Sequence, residues 1–135
     1  MRGFFVSFTV VSIGLISLQL STVRAQEDAS KPAFYTTKVK PILDSQCANC
    51  HMGLNRKGGL VFDTQAGLKK GGKSGAVIVP GDPSKSLFVK LIRHEGPVDD
   101  PMPMPPKKPK MSDADIAVIT AWVKAGAVMP PDPPK

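Results

Sequence analysis

The chain has 135 residues, 18 of them basic and 11 acidic, with six Phe, one Tyr and one Trp as its whole aromatic content. That length makes one small domain, and a net charge of +7 without a long basic run or many aromatics does not imply a nucleic-acid surface. The two cysteines, Cys47 and Cys50, lie three residues apart, and a bridge between them would close too small a loop to restrict the unfolded chain much.

Residues 1–25 read as a cleaved export signal. Arg2 is a short positive region, Phe4 to Leu20 is mostly apolar, and Val23-Arg24-Ala25 ends on small residues at −3 and −1 of a cut after Ala25. The rival reading is an uncleaved membrane anchor, but the 17-residue apolar run carries six polar or Gly interruptions and sits near the short limit for spanning. The mature chain is then 26–135, periplasmic or otherwise exported, with 16 basic residues against 11 acidic and a net charge of +5. Within it, 26–33 is a polar leader, 34–127 the domain and 128–135 a Pro-rich tail.

In the domain, Phe34, Val39, Ile42 and Leu43 suit one apolar helix face, which Pro41 shortens or kinks. Residues 53–83 are rich in glycine and predict loop and turn, with Leu60-Val61-Phe62 and Val77-Ile78-Val79 as apolar islands and one short helix near 63–69. Ser84 as N-cap, with Leu87, Leu91 and Phe88 or Ile92 on one face, predicts a helix of about three turns. Six prolines in residues 96–110 exclude regular helix and central strand. Ser112 and Asp115 form a capping-box-like start to a last helix whose stripe is Ile116, Ile119 and Val123, with Trp122 beside it and Gly126 as its stop. The fold predicted is all-α: three to four helices and long Gly- and Pro-rich loops wrapped around one cofactor. A core this poor in aromatics leaves a large apolar group to make up the shortfall.

Cys47-Ala48-Asn49-Cys50-His51 names that group. Two thiols on one helical turn reach the two vinyl groups of one porphyrin, and the histidine after the second thiol lies under the iron. A plain disulfide or a redox C-x-x-C leaves His51 unexplained, and no βαβ pattern of thioredoxin type flanks the motif. The site residues expected are therefore Cys47 and Cys50 as thioethers of one haem c, and His51 on the iron. For the opposite ligand, Met102 and Met104 stand in a rigid Met-Pro-Met-Pro-Pro setting that lowers the entropy of fixing a sulfur over iron. Local chemistry leaves the two tied. Met111 sits where a hydrophobic staple goes and is assigned to packing, Met129 lies in the tail, and His94 next to Glu95 suits a surface group better than a ligand.

Gly67 to Ser74 matches the phosphate-loop pattern letter for letter, but no strand precedes it and no helix pattern comes after it, so no nucleotide is expected. Lys107, Lys108 and Lys110 lie just past the methionine loop; they either ring an electron exit edge and steer an acidic redox partner, or simply keep the chain soluble.

Several strings beyond the haem motif resemble the planctomycete-type cytochrome c domain: Gly58-Gly59-Leu60-Val61-Phe62-Asp63-Thr64, Gly71-Gly72-Lys73-Ser74-Gly75, Val79-Pro80-Gly81-Asp82-Pro83 and Ser86-Leu87. Met104-Pro105-Pro106-Lys107 and Ile116…Ala121-Trp122…Gly126-Ala127 extend the resemblance, which covers roughly 34–127. It implies a small α-helical haem domain with Met104 on the iron and Met102 in reserve. The function expected is a soluble one-electron carrier rather than an enzyme. A haem subunit docked to a larger dehydrogenase or oxidase is the alternative, and an open-site haem sensor or peroxidase-like enzyme a more distant one.

Overall fold

The structure, a computed structural model, describes residues 27–96, 104 and 108–134. The export signal, Met102 and Lys107 lie outside the described residues. Helical turns begin within the stretch read as leader: α1 (Pro32–Phe34) runs into a π-helical turn (Tyr35–Val39) and then into α2 (Lys40–Gln46). Pro41 explains the wide turn. It has no N–H to give and its ring crowds the carbonyl a turn back, so the chain widens just ahead of it, with the Lys40 N–H donating to the Tyr35 carbonyl. The sequence predicts a short or kinked helix here; the outcome is a continuous run that absorbs the proline. Tyr35, Val39 and Leu43 remain on its buried side.

Next come α3 (Ala48–His51), α4 (Gln65–Lys70), α5 (Leu87–Ile92) and α6 (Asp113–Lys124), with one 3-10 turn at Lys57–Gly59. With the run from Pro32 to Gln46 counted as one, five helices and no strand appear among the described residues, consistent with the all-α prediction. None of these helices is long and apolar enough to cross a membrane.

Helix α6 organises the core. The Ser112 hydroxyl accepts the Asp115 N–H at 3.0 Å, which is the forward half of a capping box. At the other end Gly126 N–H reaches the Val123 carbonyl and Ala127 N–H the Trp122 carbonyl, a Schellman motif that needs the positive φ of 105° at Gly126. Between these ends, Ile119, Trp122 and Val123 are fully buried. The helix packs on the Tyr35–Val39 turn and on α5, with the Trp122 ring 5.6 Å from that of Tyr35.

Two details differ from expectation. Helix α5 begins at Leu87 rather than after Ser84, because the Asp82 carboxylate takes the Ser84 hydroxyl and the N–H groups of Ser84 and Lys85 into its own turn. Ser86, wholly buried, accepts the Val79 N–H and so staples the preceding loop to the helix start. The chain after 128 is also tied down. Met129 is buried, the Trp122 indole donates to the Val128 carbonyl, and the Asp132 carboxylate accepts the Gln65 and Ala66 N–H groups at the start of α4.

Candidate functional site: an apolar pocket bordered by thiol, imidazole and thioether

Helix α3 is a single turn, and that is what places its functional groups. The Cys47 carbonyl accepts the N–H groups of Cys50 and His51 at 3.1 and 3.0 Å, so residues i, i+3 and i+4 share one face. Both cysteines are free thiols. Burial, with Cys50 as the lesser cause, pushes the Cys47 thiol up to about 11.

Two consecutive residues, Phe62 and Asp63, brace His51 and the chain just past it. The Phe62 N–H donates to the His51 carbonyl at 3.0 Å, and the Phe62 ring stands edge-on to the imidazole at 5.7 Å. The Asp63 carboxylate accepts the Gly53 N–H at 2.9 Å, fixing the chain two residues past the histidine. The Thr64 hydroxyl accepts the Gly67 N–H and caps α4. Tyr35 sends its hydroxyl toward the Phe62 carbonyl at 3.4 Å, and burial pushes that phenol up to about 12. Phe62 and Asp63 thus serve as a strap beside His51, and Thr64 ties that strap to α4.

One cavity of about 320 Å³ takes Cys47, Cys50 and His51 on one wall and Met104 on another. Leu60, Phe62, Val77, Phe88 and Ile92 supply apolar lining, and Lys57 and Gly58 stand at its exposed rim. Burial in these surroundings holds the His51 pKa below its ordinary value, opposed in part by the backbone at Leu60 and Lys57. Its Nδ1 is buried without a hydrogen-bond partner.

Met104 reaches this wall through its N–H, which donates to the Leu91 carbonyl at 3.2 Å. Met111 is buried, as packing requires, and it also lines the cavity, a place that residue order does not reveal. The islands at 60–62 and 77–79 likewise turn out to send Leu60, Phe62 and Val77 to the cavity. Their sequence signal is apolarity without a periodicity to give a direction. His94 is exposed, has a φ of 60° and does not border the cavity. The phosphate-loop look-alike is not a loop ahead of a helix, since Gly67 to Lys70 lie inside α4.

The glycines of this region have a packing reason. Gly71 has a φ of 73°, and a side chain there would strike the Gly75 carbonyl. A Cβ on Gly72 would come within 2.9 Å of the Gly58 carbonyl, the same carbonyl that accepts the Lys73 N–H at 2.7 Å. The 71–75 turn therefore lies directly against the rim of the cavity.

Fold and pocket define a small all-α protein with an apolar cleft on which thiol, imidazole and thioether groups converge. Residues 47–108 match the family described as Planctomycete cytochrome C, a match that supports a planctomycete-type cytochrome c domain over that segment. Domains of this class bind haem and transfer electrons. No curated protein and no solved structure matches the chain. The residues present fit a haem. The lining is apolar, two thiols and the half-buried His51 imidazole border it together, and the buried His51 Nδ1 has no hydrogen-bond partner.

Proposed function

We propose that the chain is an exported monohaem c-type cytochrome that carries one electron at a time. The convergence of Cys47, Cys50, His51 and Met104 on one apolar cavity carries this reading. Cys47 and Cys50 would hold the haem by thioether bonds, and His51 and Met104 would be the protein's ligands to its iron, with Met102 in reserve. When bound, the haem supplies an iron that cycles between ferric and ferrous states.

The polypeptide's own part is positioning. The Phe62-Asp63 strap braces the imidazole and the chain beside it, and so lowers the rearrangement that accompanies a change of charge. Phe88, Ile92 and Val77 keep water from the centre, and a thioether opposite the histidine favours the reduced form. With His51 and Met104 both given to the iron, the site would suit electron transfer rather than chemistry on a bound substrate.

The test is to express the full chain in a host with haem-attachment machinery. Haem that stays on the protein in a denaturing gel, and is lost when Cys47 and Cys50 are both changed to Ala, supports the reading. A weak far-red sulfur-to-iron band in the ferric spectrum supports Met104. Rapid carbon monoxide binding by the ferrous protein, without that band, would overturn the methionine assignment.

A further inference from the structure

We infer that the electron partner is a protein with an acidic face, and that it docks on the 53–75 side of the pocket rather than on the lysines just past the methionine loop. This rests on the haem reading above. Residues 53–75 hold five cations, Arg56, Lys57, Lys69, Lys70 and Lys73, against one carboxylate, Asp63, whose side chain is engaged by the Gly53 N–H. All five are exposed.

The fold gathers them. The Lys73 N–H is bonded to the Gly58 carbonyl, and the Lys73 side chain passes 3.7 Å from where a Gly59 Cβ would stand, which sets Lys73 against the Lys57–Gly59 turn. Lys69 and Lys70 close α4 immediately before the same glycine turn.

Elsewhere the cations are more often answered. Every ion pair among the described residues lies outside this segment: Lys38 with Glu27, Lys40 with Asp44, Lys85 with Asp82 and Lys110 with Asp113. Lys110 is thus partly neutralised, and neither it nor Lys108 borders the cavity, whereas Lys57 and Gly58 do. Positive charge left unpaired at the rim of an electron-transfer pocket focuses the field where a partner must approach.

A nonpolar contact stands in the same place. Leu54 is 100% exposed, and the Arg56 guanidinium Nε folds back toward the Gly53 carbonyl beside it. An apolar centre with a cationic surround suits a carboxylate-bordered protein surface.

The haem-loaded protein and two anionic complexes, standing in for the partner's carboxylates, test this. Paramagnetic, redox-inert hexacyanochromate(III) should broaden the amide signals of Arg56, Lys57 and Lys73 in the unmodified protein. Hexacyanoferrate(III) should take one electron from the ferrous protein, and the R56E/K57E/K73E variant should slow this at least about tenfold at low salt and flatten its salt dependence. The K108E/K110E variant should change the rate less than about threefold. Broadening centred on 108–110, or a triple variant as fast as the parent, would overturn the proposal. Sedimentation of the parent, but not the triple variant, with phosphatidylglycerol vesicles would assign the face to a lipid surface and reject a protein partner. A chain that binds no haem covalently fails at the earlier reading instead, and the broadening map, which needs no iron, still locates the anion face.

Discussion

The two walls of the pocket are built differently. On the histidine side, a single helical turn brings Cys47, Cys50 and His51 together, and the Phe62 N–H with its edge-on ring, and the Asp63 carboxylate, fix the histidine and the chain just beyond it. On the methionine side, Met104 comes from a proline-dense stretch and is joined to α5 by its N–H on the Leu91 carbonyl. The contrast teaches that the fold and the proposed His51 ligation share the same residues, while the proposed Met104 ligation is largely separable from stability. Damage to the first wall should unfold the protein; damage to the second should change its spectrum.

The largest effect expected is at the strap. Phe62 is 2% exposed and packs on both His51 and Phe88, with the Phe88 ring 4.9 Å away, so Phe62→Ala should cost about 3–5 kcal/mol in denaturant unfolding. A loss under about 1 kcal/mol would show that the strap does not support the core. Gly71→Ala comes next: the positive φ and the clash with the Gly75 carbonyl should cost roughly 1–3 kcal/mol and shift the Lys73 and Gly58 amide signals. An unchanged thermal midpoint would remove the packing reason for that glycine.

Met104→Leu should cost less than about 1.5 kcal/mol yet abolish the far-red band of the ferric protein. Met111→Leu should keep the band. The reverse pattern would transfer the ligand role to Met111, which borders the same cavity.

The smallest effect lies away from both walls. The Ser84 hydroxyl first, and Lys85 after it, hold the Asp82 carboxyl at about 2, below its ordinary 3.8. A depressed pKa stabilises the fold fully above the ordinary value, and that stabilisation fades as pH falls through the folded one. The difference in thermal midpoint between the parent and Asp82→Asn should therefore shrink from pH 3.8 down to about 2. A constant difference across that window would show that the carboxylate's charge is immaterial.

Much of the first wall was legible in residue order, because it depends on spacing along one turn. The last helix was legible for a similar reason. Ser112, the stripe at Ile116, Ile119 and Val123, and Gly126 are local signals for start, face and stop, and each stands where expected. The start of helix α5 was not legible, because Asp82 and Ser86 both compete for the same backbone, and residue order alone does not rank the competitors.

By itself, then, the sequence determined the all-α class, the local array Cys47–Cys50–His51 and the terminal helix, since helical geometry and capping act within a few residues. Only the tertiary structure decided that Phe62 and Asp63 brace the chain around His51, that Met104 and Met111 border one cavity, and that Lys57 stands at its rim. These depend on contacts between distant glycine-rich loops, and such contacts arise from chain packing rather than from any periodicity along it.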